Sequence, residues 1–473
     1  VTDGEHAEAR ATSVDGRRFS CFVPPDRLDV ATGGYAVLEH ESGRRLGQLT
    51  AVELAHLEAG HAGLARIEGS VLDGPAAPFH DARLRVARED EVADWLTRVR
   101  PQRATLHVGR LAHSPGLELA LDAGAFDRHT FLCGQSGSGK TYALGTILER
   151  LLVETSLRIV VLDPNSDFVR LGEARSDIPD DVREGFGRAA AAVTVRRGAE
   201  TGGDRLHVRF RYFDADEQAA VLRLDPIADR DEYAALTEAV ERAPELLGAG
   251  GSVRETIDRM WAHPDPLHSL AVRARNLRVD RWGVWSGTED GSLQDLVQPG
   301  GPRCIVADLG SLPTREEQAV AAESVLAALW RRRSAREPVL IVIDEAHNVC
   351  PGASTDPLTA MATEHAVRIA GEGRKFGLVL LVATQRPQKV HENVISQCDN
   401  LVLMRMNSRS DLAVVSEIFS YVPDQLLRLA TDFQQGEAIV AGKLVPGPTV
   451  GRFGPRWSVE GGADVPSDWA APR

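Results

Sequence analysis

Aromatic residues make up 5% of this 473-residue chain, cysteines number five and methionines four. No uninterrupted apolar run approaches the roughly 18 residues needed to span a bilayer as a helix. Nor does the first segment have the apolar texture of a signal peptide, so the expectation is a soluble, cytoplasmic protein with no membrane partner. The cysteines (Cys21, Cys133, Cys304, Cys350, Cys398) are scattered without a Cys-x-x-Cys spacing. That scatter argues against a disulfide framework or a clustered zinc site and leaves reduced core thiols. A surplus of positive charge is also missing. The formal net charge of −14 argues against an outer surface that binds nucleic acid nonspecifically, although a basic strip inside a channel is compatible with it.

What is present is globular: 43% hydrophobic and 26% charged residues, in a chain too long for one core, so that two or three domains are expected. Its focal stretch is Phe131 to Thr141, FLCGQSGSGKT. A short apolar run leads into a glycine-rich turn, and a Lys-Thr pair opens a helix. Gly134, Gly137 and Gly139 let the backbone approach a triphosphate, with the N–H groups of Gln135, Ser136, Ser138 and their neighbours turned inward. Lys140 can reach the β- and γ-phosphates, the Thr141 hydroxyl can ligate Mg²⁺ at the positive end of the helix, and Tyr142 follows beside the nucleotide.

Three later apolar runs end in polar side chains, where parallel strands deliver groups to a ligand crevice. Leu157 to Leu162 ends in Asp163-Pro164-Asn165-Ser166-Asp167. Asp163 and Asp167 are candidates for water or Mg²⁺ contacts, with capping of a strand-end turn the alternative. Val339 to His347, VLIVIDEAH, presents Asp344 for the Mg²⁺ shell and Glu345 to orient or deprotonate the attacking water. Leu378 to Ala383 ends in Thr384-Gln385-Arg386, where Gln385 can sense the γ-phosphate. Arg374, just ahead of that strand, can reach a nucleotide held by a neighbouring subunit or make a surface ion pair.

The rest of the chain gives the organisation. Residues 1–16 are polar and read as a flexible terminus. Short strand-like runs separated by turn residues make 17–107 a small β-barrel, closing with an amphipathic helix around Trp95. Residues 108–444 read as an α/β ATPase domain with a mainly parallel sheet. Within it, 171–301 forms a mostly helical insertion, with helices over Asp214–Leu224, Asp231–Leu247 and Val253–Asn276. Trp282 and Trp285 in the insertion suit either an interaction surface or a core. The Pro/Gly-rich 445–473 suits an arm lying across another surface.

With those motifs placed, the sequence resembles the HerA family of hexameric ATPases in the HerA–FtsK group of DNA-pumping motors. The matching residues are Gly109 to Leu111, Arg128-His129 ahead of the phosphate loop, the strand ending in Asp163-Pro164, DEAH at Asp344 to His347, and GRKFG…ATQRP from Gly373 to Pro387. The resemblance implies a RecA-like P-loop fold behind an N-terminal barrel, and a homohexamer with ATP and Mg²⁺ between subunits. It also implies double-stranded DNA in a central channel and a NurA-like nuclease partner. By family position Lys140 and Thr141 bind phosphate and metal, Asp344 serves Mg²⁺, Glu345 is the catalytic carboxylate and Gln385 the sensor. Arg128 and Arg374 are the arginines near the γ-phosphate. The alternative is a scaffold ring of an antiphage defence complex, in which ATP is regulatory and a separate effector does the chemistry.

Overall fold

Alternating apolar and polar residues close the first strands into a barrel. The computed structural model describes residues 9–25, 30–54, 63–198, 204–242, 252–285 and 291–462. The strands are β1 (Arg10–Ser13), β2 (Arg18–Val23), β3 (Tyr35–His40), β4 (Gly43–Leu54), β5 (Ala65–Val71) and β6 (Phe79–Val86), in the closed order β1-β2-β5-β4-β3-β6. In β2 every second residue, Phe19, Cys21 and Val23, points into the core that Leu38, Leu49, Ile67 and Leu84 complete. The Phe19 ring packs against Gly47 and Gly69, leaving no room for a β-carbon at either. The barrel begins earlier than the polar texture of residues 1–16 suggests. Only Ala11 and Ser13 of β1 face inward, too few to register as a pattern.

The chain divides into two compact units. The first comprises Val1–Phe126, Leu132–Arg150 and Asp399–Pro455, and the second Asp127–Phe131, Leu151–Cys398 and Arg456–Arg473. Beside the barrel, the first unit carries β7 (Thr105–Leu111), β8 (Ser114–Asp122), β15 (Asn400–Met404), β16 (Glu437–Ala441) and β17 (Thr449–Phe453). They run in the order β15-β16-β17-β7-β8, each antiparallel to the next. Strand β17 lies within the stretch read as an arm. Its neighbouring prolines and glycines hide a strand that both β16 and β7 pair with.

The second unit carries β10 (Arg158–Asp163), β11 (Val193–Arg196), β12 (Cys304–Asp308), β13 (Val339–Ile343) and β14 (Leu378–Thr384). Their order β11-β12-β10-β13-β14 is parallel throughout. Every residue of β10, β12, β13 and β14 is buried, as expected of a parallel sheet covered on both faces. Strand β9 (Thr130–Cys133), in which the chain passes from one unit to the other, is also wholly buried. The stretch read as a mostly helical insertion also contributes β11 to the sheet edge. Its helices among the described residues include Asp180–Ala190, Ala215–Val221, Arg230–Arg242, Val253–Trp261 and Leu267–Asn276. The continuous helix expected over Val253–Asn276 is broken at Pro264 and Pro266, which cannot donate to a helical ladder. The end of the helix read to Leu247 lies outside the described residues.

All five cysteines are buried and unbridged. Among the described residues no helix is long and apolar enough to cross a membrane.

Three helices of the second unit enclose ionisable groups. Glu217 (1% exposed) accepts two hydrogen bonds from Arg331 Nη1, at 2.8 and 2.9 Å. His365 Nδ1 lies 2.9 Å from Oε1 of the buried Glu323. Burial pushes Glu217 up to about 7, with Arg331 opposing. For His365 burial acts downward, but the Glu323 and Glu217 carboxylates outweigh it and raise the ring above its ordinary value.

Two outcomes are expected. Gly69→Ala should destabilise the barrel by about 1–3 kcal/mol, because Phe19 must leave its place; chemical denaturation measures this. Both Glu217 and His365 bind protons more tightly folded than unfolded, so their contribution is greatest at low pH. The Glu217 share is lost as pH rises from its unfolded value of 4.5 to about 7, and the His365 share as pH passes above 6.5. The thermal midpoint should therefore fall across this range, and His365→Gln should flatten its upper part only.

Candidate nucleotide site

The phosphate loop belongs to the first unit. Strand β9 carries the chain into Gly134 to Gly139, and the helix Lys140–Glu154 leaves it. Gly137 and Gly139 sit at φ +72° and +94°, a region where a β-carbon collides with the following carbonyl. The loop is fastened from outside by main chain, with Gln135 N donating to Arg405 O (2.9 Å) and Gly436 N to Ser138 O (2.9 Å), and is closed internally by Ser138 N donating to Gln135 O (3.1 Å). Side chains add to this, with Arg405 Nη2 donating to Gly137 O at 3.0 Å and the Gln135 amide oxygen accepting from Asn407 N at 3.0 Å. Ser136 and Gly137 are exposed at the tip, Thr141 and Tyr142 are half-buried, and Lys140 is only 4% exposed. A loop held this way keeps its shape before a ligand arrives.

The acidic strand ends belong to the second unit. Asp163, fully buried at the end of β10, accepts from Asp167 N (3.0 Å) and Asn165 N (3.3 Å) on Oδ1, and from Phe168 N (2.8 Å) on Oδ2. It therefore caps the strand-end turn, the alternative the sequence left open. Burial pushes its carboxyl up to about 7; the N–H bonds oppose this and the nearby Asp344 charge adds to it. One strand over, Asp308 ends β12 and is gripped by Ser166 Oγ (2.6 Å) and Arg197 Nε (3.1 Å).

Asp344 and Glu345 follow β13, both buried, with Glu345 in the left-handed region at φ +42°. This conformation costs a non-glycine residue about 1–3 kcal/mol and persists only where surroundings impose it. Here its neighbours do so. Gln385 Nε2 donates to Glu345 Oε1 at 2.8 Å, and His347 Nδ1 lies 3.3 Å from Glu345 Oε2 and 3.1 Å from Thr384 Oγ1. Thr384 Oγ1 also accepts from Arg386 N at 3.0 Å. Of the residues read from sequence, the structure thus brings Glu345 and Gln385 into direct contact, with His347 and Thr384 as additional members. Arg128 is partly exposed beside Asp127, with Nε 3.2 Å from its carboxylate, and Arg374 is exposed in the turn Gly373–Phe376 ahead of β14.

Sequence reasoning missed Arg405, Asn407 and Gly436 as supports of the loop. Arg405 had a usable signal, since it directly follows the buried strand β15, at the strand-end position that flagged Asp163 and Gln385. Nothing in sequence marks Gly436.

A glycine-rich loop between a buried strand and a helix, together with carboxylates at neighbouring parallel strand ends, defines a P-loop ATPase. The comparisons agree. Residues 106–275 match the family model described as the central domain of helicase HerA. The DNA double-strand break repair helicase HerA of Pyrococcus furiosus is 21% identical over 82% of this chain and 76% of its own length. Its counterpart in Sulfurisphaera tokodaii is 23% identical over the same shares. Among solved structures, VirB4 of Thermoanaerobacter pseudethanolicus shares the fold, with a TM-score of 0.50 at 16% identity over 75% of this chain and 97% of that one. The chain is a P-loop ATPase similar to the HerA helicases over most of its length.

Gly139→Ala should cost the loop about 1–3 kcal/mol of strain, since its β-carbon would also lie 3.1 Å from Gly436 N. Titration with a fluorescent ATP analogue should show affinity falling about tenfold or more; unchanged affinity would count against the loop as the phosphate cradle.

Proposed function

We propose that this protein is an ATP-driven motor on double-stranded DNA, a helicase or translocase working as a hexameric ring with a nuclease or other effector as partner. The observation that carries the reading is the contact of Gln385 with Glu345, in a chain that also holds a complete phosphate loop. It is supported by the names of the HerA relatives, which describe DNA double-strand break repair helicases.

In this reading the N–H groups of residues 134–139 and the Lys140 ammonium bind the β- and γ-phosphates, with Tyr142 beside the nucleotide. The Thr141 hydroxyl and the Asp344 carboxylate are hard oxygen donors suited to Mg²⁺, which would supply charge neutralisation at the phosphates. Among the described residues no group of three or more His, Cys, Asp and Glu side chains could hold a metal. A nucleotide-bound Mg²⁺ needs only one or two protein oxygens. Asp163 braces the crevice wall through its turn. Glu345 orients the attacking water and accepts its proton. Gln385, bonded to that carboxylate, makes the state of the acid felt at the end of β14 and in the loop after it. Arg128 and Arg374 complete the site toward the γ-phosphate, at least one of them across a subunit interface. An arginine supplied in that way is worth about 10³–10⁵ in rate, which would make hydrolysis depend on assembly.

Steady-state ATPase activity with and without linear duplex DNA, with the particle mass recorded in the same buffer, tests the reading. A hexamer whose turnover rises with DNA is the expected result; a hexamer indifferent to DNA that does not bind it at low salt would overturn it. Glu345→Gln should assemble and bind ATP but turn over about 10²-fold or more slowly, as for loss of a general base. Lys140→Ala should lose nucleotide binding, and wild-type turnover in both variants would refute the assignments.

A further inference from the structure

A cavity of about 660 Å³ opens in the second unit, and its lining includes Arg223, Arg278, Arg281, Trp282, Glu316 and Glu317. Its volume lies in the range of small-molecule sites. Both acids are already engaged. Glu316 Oε1 accepts from Arg223 at 3.1 Å, and Glu317 accepts from Val284 N at 3.0 Å and lies 3.2 Å from the Thr314 hydroxyl. By contrast, the side chains of Arg278 and Arg281 make no ion pair or hydrogen bond among the described residues, in a chain where many arginines are paired. The lining therefore presents unspent positive charge.

Trp282 supplies a flat surface beside it. The ring stacks on Trp285 at 5.8 Å between centroids and 16° between planes, and Trp285 is fixed by its Nε1–H donating to Val279 O at 2.8 Å. The segment is anchored by the buried Val279 and Val284, so the plane of Trp282 is set in advance.

Two of the arginines sit where the backbone resists them. Arg223 follows the helix Ala215–Val221 and its cap residue Leu222, and Arg278 follows Leu267–Asn276 and Leu277. Each donates its N–H back into the last helical turn, Arg223 to Ala220 O at 3.1 Å and Arg278 to Arg275 O at 3.0 Å. Each is left-handed, at φ +53° and +59°. This is the position that glycine usually fills, because it alone adopts the conformation without strain. At these two helix ends the residue is arginine, and both line the same cavity.

We propose that this cavity binds a nucleotide, its base stacked on Trp282 and its phosphate held by Arg278 and Arg281. Guanidinium forks and an aromatic face are the pair of groups that recognise such a ligand. The shared chemistry fits a free nucleotide and a nucleotide within a single strand.

The test titrates AMP and, separately, pentathymidylate into the full-length protein carrying Lys140→Ala, which silences the phosphate loop, while following tryptophan fluorescence. Saturable quenching is expected. Quenching by AMP alone identifies a free nucleotide, and quenching by the oligonucleotide identifies a strand. Arg281→Ala and Arg278→Gly should each raise Kd at least fivefold. Arg278→Gly also relieves the backbone, so its thermal midpoint should stay level or rise while binding falls. No quenching by either probe at millimolar concentration, undiminished binding in both variants, or a lowered midpoint in Arg278→Gly would overturn the proposal.

Discussion

A parallel sheet whose inner strands are buried along their whole length leaves its chemistry one place to be. Strands β10, β12, β13 and β14 are buried at every residue, so polar groups gather where the strands stop. Asp163, Asp308, Asp344-Glu345 and Thr384-Gln385 all occupy that position. Because neighbouring strands are parallel and in register, Val161 beside Val306 and Leu162 beside Ile343, their ends arrive at one edge together. At the end of β10, burial pushes the Asp163 carboxyl up to about 7.

The same constraint explains the network around Glu345. A left-handed glutamate in a buried turn is unfavourable by itself. It is held because the end of β14 reaches it twice, through the Gln385 amide and through His347, which also meets Thr384. Glu345 and the end of β14 thus form one hydrogen-bonded body.

Much of this was legible in the chain itself. Continuous apolar runs ending in Asp163, Asp344 and Thr384 are visible in the sequence, as is the glycine spacing of the phosphate loop, because local composition determines both. What was hidden depended on partners far away. The bond of Gln385 to Glu345 joins residues 40 apart, and the support of Gly137 by Arg405 joins residues 268 apart. No periodicity records such pairings. Strand β11 was hidden for another reason: Val193–Arg196 has four half-buried residues at a sheet edge and no apolar run to announce it. Strand β17 was masked by the prolines and glycines around it. The choice at Asp163 between metal contact and turn cap was open in sequence, and the N–H groups of Asp167 and Phe168 show the cap formed.

The burial of Lys140 has a chemical consequence. Of 54 basic residues only four are lysines, Lys140, Lys375, Lys389 and Lys443. The chain therefore offers very few side-chain amines, and one of them lies beneath the phosphate loop at 4% exposure. Reagents that acylate amines act on the unprotonated nitrogen and need room to approach it. They will mark the other lysines before this one, so the order of labelling becomes a record of how often the loop opens.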